Sequence, residues 1–234
     1  LLKEVAMSNA SKIALVAALL LGSAAHADQR SFPVGSFDRL ASSGSADITV
    51  TTGKTPSVSV EASKDTLDRM DIRVDGSTLR IGMKKNTWGN WNSGKIKVAV
   101  TVPMLRSVDL SGSGSVVVNQ IKVPEFTAGI SGSGEARFPS VDAGTVRLSI
   151  SGSGDVDAAG RCGAAHVDIA GSGDVDIGKL QCTSLSASIA GSGDIDAYAT
   201  TTANISIAGS GDARVAGGAK CKISKAGSGT VTCG

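Results

Sequence analysis

Gly-Ser-Gly occurs seven times in the second half of this 234-residue chain, starting at Gly112, Gly132, Gly152, Gly171, Gly191, Gly209 and Gly227. The intervals are 20, 20, 19, 20, 18 and 18 residues. A fixed period near 20 marks a solenoid, because one such unit cannot bury its own apolar face and must stack on the next. The flanking residues say which kind. Two positions before the first Gly stand Leu110, Ile130, Ile150, Ile169, Ile189 and Ile207, then Lys225. Four before stand Val108, Ala128, Leu148, Val167, Ala187, Ile205 and Ile223, and four after stand Val116, Ala136, Val156, Val175, Ile195, Ala213 and Val231. The positions between are Ser, Ala, Asp or Glu with few exceptions. Alternation with period two on both sides of a glycine bend describes two short strands meeting at a corner. Gly, Ser and β-branched residues dominate and no 3.6-residue stripe survives, which argues against helix.

The expected fold is therefore all-β: a single-stranded right-handed parallel β-helix of about 20 residues per coil. At a corner repeated on every coil, Gly is needed where φ is positive or where the walls approach too closely for a Cβ. The Ser between each Gly pair would stand in a stack of hydroxyls. Residues 36–105 alternate without the strict repeat, as in Ala46–Thr51, Ser57–Glu61, Met70–Val74, Thr78–Ile81 and Lys95–Val102. Val74-Asp75-Gly76-Ser77 reads as a hairpin turn, Lys64 to Met70 as one helical turn, and Ser43-Gly44-Ser45 as a degenerate corner. This less regular half would start the same solenoid and cover its N-terminal edge, which would otherwise template aggregation.

Before the strands lies a targeting pattern. Lys12 precedes an apolar run, Ile13–Gly22, and Ala25-His26-Ala27 follows as a cleavage signal. The run is short for a permanent membrane span, though an uncleaved anchor is the alternative, and Met7 suits the start of such a segment. The chain divides into a signal peptide (1–27), an N-terminal β segment (28–107) and the repetitive β-helix (108–234). No transmembrane segment is expected in the mature chain, and the product is expected in the periplasm, at the cell surface or outside the cell. In an oxidising compartment the four cysteines pair by default. Cys162 and Cys182 occupy nearly the same place on successive coils, ten and eleven residues after Gly152 and Gly171. Cys221 then pairs with Cys233 and staples the last coil.

Charge and composition exclude some functions. Lys and Arg total 23 against 21 Asp and Glu, so no basic excess marks a nucleic-acid binder. Hydrophobic residues at 41% exclude a disordered chain. Aromatics at 3% are few for an enzyme that stacks sugars on rings. His166 is alone after residue 27, which leaves no His cluster for a metal and no evident triad.

Two features stand out as candidate sites. Asp155, Asp174 and Asp194 form one column, and Asp157, Asp176 and Asp196 another two positions on. Stacked carboxylates repel, and a Ca²⁺ ion would neutralise them; alternatively the strip is a solvated edge that keeps side strands unpaired. The Lys84–Lys95 loop carries both Trp88 and Trp91 among Asn, Gly and Lys. The rings are either contact anchors for a glycan or protein, or a plug folded over the side of the solenoid.

The segments Phe37-Asp38-Arg39-Leu40, Ser43-Gly44-Ser45-Ala46-Asp47-Ile48, Gly76-Ser77-Thr78-Leu79-Arg80-Ile81, Val102-Pro103-Met104-Leu105 and the Leu110-Ser-Gly-Ser-Gly-Ser-Val116 series carry a resemblance. From Phe37 to Gly234 the chain resembles the bacterial auto-transporter adhesin head GIN domain family. The resemblance implies an exported β-helical protein, with adhesion suggested by the family's name. The chain closes on Val231-Thr-Cys-Gly234 with no membrane barrel pattern, so a self-sufficient auto-transporter is not expected. The expected function is a non-enzymatic envelope or surface protein that binds an envelope protein or glycan through its β-helix faces. The alternative is a polysaccharide-active enzyme on the same fold, which would need carboxylates in differentiated surroundings rather than a repeat.

Overall fold

Parallel pairing brings the glycine corners into register. The computed structural model describes residues 28–84 and 94–234. The strands are β1 (Asp28–Phe32), β2 (Arg39–Gly44), β3 (Asp47–Thr52) and β4 (Ser57–Ala62); helix α1 (Lys64–Arg69) follows. Next come β5 (Met70–Asp75), β6 (Thr78–Met83), β7 (Lys97–Val102), β8 (Ser107–Gly112), β9 (Ser115–Val118) and β10 (Ile121–Gly132). The long coils are β11 (Glu135–Gly152), β12 (Asp155–Gly171), β13 (Val175–Gly191) and β14 (Ile195–Gly209), and the stack ends with β15 (Ala213–Ala216), β16 (Lys220–Gly227) and β17 (Val231–Cys233). No described helix is long and apolar enough to cross a membrane. The signal-peptide segment and both Trp residues lie outside the described residues.

Each coil sits on the previous one with its columns matched. Ile130 pairs with Ile150, Ile150 with Ile169, Ile169 with Ile189 and Ile189 with Ile207. All are buried, and each such side chain contributes about 1.5–3 kcal/mol on burial. Phe126 and Phe138, also fully buried, meet edge to face at 4.9 Å and fill the wider side of the core.

Both reasons for the corner glycines hold, one at each position. The first Gly has positive φ, for example 131° at Gly152 and 139° at Gly171, and a Cβ on Gly171 would lie 2.1 Å from the Gly152 carbonyl oxygen. At the second Gly, close approach alone excludes a side chain: a Cβ on Gly173 would meet the Gly154 oxygen at 2.2 Å. The ladder across this corner is one of backbone amides. Ser133 N–H donates to Gly112 O at 2.9 Å, Ser153 N–H to Gly132 O at 2.8 Å and Ser172 N–H to Gly152 O at 2.8 Å.

The first half joins this stack, but not in chain order. Gly44, with φ 111°, pairs with Gly112, so the degenerate corner is the rung beneath β8 and β9. The strands β6 and β7 then lie on the far side of β2 and β3, again in parallel. The connection from β6 to β7 stands where other coils have a glycine corner, and it contains the Trp pair. Beyond this rung the pairing turns antiparallel: β5 on β6 through the Gly76 turn, β4 on β7, and β1 on β4. Helix α1, capped by Ser63, whose side chain accepts from Thr66 N–H, spans the residues read as a helical turn. Arg30 of β1 holds it, with Nη1 on Leu67 O at 3.0 Å and Nη2 on Asp68 at 2.7 Å.

The other end has no such cover. Strands β16 and β17 pair only with β14 and β15. Ile223 is 48% exposed, whereas Ile205 beneath it is 2% exposed. Lys225 stands over Ile207 in the apolar column, and its Nζ folds back onto Gly229 O at 2.7 Å.

Candidate functional site

The acidic columns flank the Gly-Ser-Gly corner, where the strand restarts and the amide of the first residue has no ladder partner. Carboxylates supply one. Asp155 Oδ1 accepts from Asp174 N–H at 3.3 Å, Asp174 from Asp194 at 2.9 Å, Asp194 from Asp212 at 2.8 Å, and Asp212 from Thr230 at 2.6 Å. Backbone amides are obligatory donors, and an acceptor one coil below satisfies each in turn. The column is thus a structural ladder, and Thr230, with no carboxylate, ends it.

The second column is neutralised locally. Asp157 accepts from Arg137 Nε at 3.3 Å, and Arg137 also reaches Glu135. Asp176 Oδ1 takes the Gly178 amide at 3.1 Å, and Asp196 pairs with Arg214 at 3.3 Å. Among the described residues no group of three or more His, Cys, Asp or Glu converges as a metal site. The six carboxylates of the candidate Ca²⁺ strip are therefore spread along two lines and hydrogen-bonded within the fold.

Cys162 and Cys182 are direct register partners with Cα atoms 4.5 Å apart and are disulfide-bonded. Cys221 and Cys233 are bonded as well, with Cα atoms 6.6 Å apart, and tie β16 to β17. His166 points outward from β12, paired in register with Arg147 below and Ser186 above.

The feature that residue patterns did not single out is a trough along the axis. On the face formed by β5, β6, β2, β8 and β10 to β13, outward positions are small or polar. A cavity of about 520 Å³ lies over β5, β6, β2 and β8, and a second of about 510 Å³ continues over β8 to β13. Asp109 and Ser111 line both, so the two join end to end. Eight strands at about 4.8 Å spacing give a run of about 34 Å. Its floor is Ala41, Ser43 and Gly82 at one end, then Gly129, Ser149, Ser151 and Ala170. Three arginines, Arg39, Arg73 and Arg80, stand at the N-terminal end. Alternation alone makes these residues outward-facing, but only the pairing of β6 with β2 and of β5 with β6 brings them onto one surface.

Comparison with known proteins places this geometry. A family model described as "Putative auto-transporter adhesin, head GIN domain" matches residues 36–219. A crystal structure of a protein described as a "putative adhesin", from Bacteroides fragilis NCTC 9343, superposes with a TM-score of 0.80 at 21% identity, covering 88% of this chain and 96% of that one. A "putative lipid binding protein" from Parabacteroides distasonis ATCC 8503 gives 0.74 at 24% identity, covering 89% and 97%. A "putative adhesin" from Parabacteroides merdae ATCC 43184 gives 0.70 at 18% identity, covering 89% and 96%. At these identities the likeness is one of fold. Curated proteins give no match.

Proposed function

The chain belongs to the auto-transporter adhesin head GIN domain family, and from that premise we propose that it is an exported, non-enzymatic protein of the periplasm or cell surface, structural or adhesion-type, which binds an envelope protein or glycan through its β-helix faces. The observation that carries this reading is the trough: a surface about 34 Å long, at eight strands of about 4.8 Å, whose floor is small and whose backbone is already paired. Such a surface offers area and repeated hydrogen-bonding groups. Catalysis by paired carboxylates asks for two acids held in different surroundings, whereas the Asp columns here repeat one surrounding from coil to coil.

Fractionation of cells carrying the tagged protein, followed by protease treatment of intact cells, tests the location. The purified protein immobilised on a surface is expected to retain envelope material or glycans without altering them. Recovery in the cytoplasm would overturn the reading. So would release of new reducing or unsaturated ends from polygalacturonate or alginate, which would put the enzymatic alternative in its place.

A further inference from the structure

We propose that the Arg39 end of the trough binds the carboxylate of an acidic polysaccharide laid along the solenoid axis. The inference rests on the binding-face reading above and names the ligand class for that face.

The arginines are not equivalent. Arg73 and Arg80 are direct cross-strand partners, an arrangement that costs stability when like charges are left bare. Each is answered by its own carboxylate, Asp71 for Arg73 and Asp75 for Arg80 at 3.1 Å. Arg39, in register with Thr78 and Ser107, makes no ion pair among the described residues. Its guanidinium is the free one, and a planar carboxylate is the group that its fork of N–H donors matches. The hydroxyls of Thr78, Ser107 and Ser43 line the same cavity. Bulk is excluded from the floor, since a Cβ on Gly82 would lie 2.6 Å from Ser43 Oγ.

The surroundings select the ligand class. A peptide strand needs an open sheet edge, and these strands are paired on both sides across most of the face. A side-chain anchor needs an apolar pocket, yet the exposed large hydrophobic residues, Met104, Val117 and Ile223, line neither cavity. Neutral sugars are held largely by aromatic platforms, and no described aromatic residue lines either cavity. Charge and hydrogen bonds must therefore carry recognition. Asp109, where the two cavities join, and Asp168, three strands further on, repel a carboxylate at those steps. The trough accordingly favours a polymer whose acidic residues are separated by neutral ones over one charged at every residue.

Calorimetric titration with a hyaluronan oligosaccharide, an oligogalacturonate and a maltooligosaccharide of equal length tests this. Hyaluronan is expected to bind best and the neutral maltooligosaccharide least. Arg39→Gln should weaken hyaluronan binding at least about tenfold, as loss of a charged hydrogen-bonding pair does. Lys179→Gln, a cation outside both cavities, should leave it unchanged. Asp109→Asn should narrow the gap between oligogalacturonate and hyaluronan. Matching circular dichroism and melting temperatures exclude misfolding as the cause. Equal binding by the neutral oligosaccharide, an unaffected Arg39→Gln protein, or no binding of hyaluronan each overturns the inference. Retention of envelope material that survives Arg39→Gln leaves the adhesion reading standing while this one falls.

Discussion

The carboxylate of Asp194 accepts the backbone amide of Asp212, one coil later, at 2.8 Å. Removing the acceptor in Asp194→Ala should cost about 1 kcal/mol, since the corner is exposed and water can partly replace it. Asp194→Asn keeps an acceptor oxygen and should cost less. Urea denaturation of the three proteins measures the difference. In the same preparation, millimolar Ca²⁺ is expected to leave the melting temperature unchanged, because these oxygens are already engaged. A clear rise would show that the columns hold the cation.

Gly171→Ala should be among the most damaging single changes in the protein. It places a Cβ 2.1 Å from a backbone oxygen at a residue with φ 139°. A loss above about 4 kcal/mol, or failure to fold, is expected. Gly35→Ala, with nothing within 4 Å of the added atom, should stay within about 0.5 kcal/mol of the parent. Comparable losses at both sites would show that the corner is not held by close approach.

The last coil closes the stack by what it lacks. Lys225 replaces an aliphatic residue over Ile207, Thr230 replaces the acidic residue of the ladder, and residues after Asp212 include four basic side chains and no acidic one. Inward-pointing charge is a known means of blunting an open sheet edge. The double variant Lys225→Ile/Thr230→Asp restores the pattern of an interior coil and should sediment as larger species than the parent at equal concentration. Identical sedimentation would mean that the disulfide between Cys221 and Cys233 is enough to protect the end.

Acid should loosen the N-terminal strand late. Lys64 and Arg30 beside Asp68 hold its carboxyl down to about 2. A carboxylate lowered in the folded state stabilises it fully above its unfolded value of about 3.9 and loses that effect as the pH falls toward the folded value. Hydrogen exchange of β1 amides should therefore change little between pH 7 and 4 for reasons of this contact, and protection should drop below about pH 3. Asp68→Asn should show the same loss of protection at neutral pH. Unchanged protection in that variant would mean that the pairing of β1 with β4 suffices alone.

The columns of Ile130, Ile150, Ile169, Ile189 and Ile207, the glycine corners and the cysteine pairs could all be read from spacing, because each coil repeats one local geometry. The helical turn at Lys64 and the hairpin at Gly76 could be read from local propensity. Spatial order in the first half could not. Thr78–Ile81 and Leu40–Ser42 alternate alike, and no local pattern tells β6 that its place is beyond β2 rather than between β2 and β8. The trough was hidden for the same reason, since Arg39 and Arg80 become neighbours only through that pairing. The carboxylate columns were visible, but a sequence shows the acid and not the unpartnered amide above it.

The rung made by β2 and β3 is flanked on both sides by strands that follow it in the chain. A polypeptide delivered from its N-terminus presents this rung with both flanks bare. One flank closes only after β7 has emerged and the other only after β9, so lateral closure of the first rung waits for residue 118. Until then nothing commits the emerging segment to a finished tertiary state, and growth afterwards proceeds outward from an interior seed in two opposite directions.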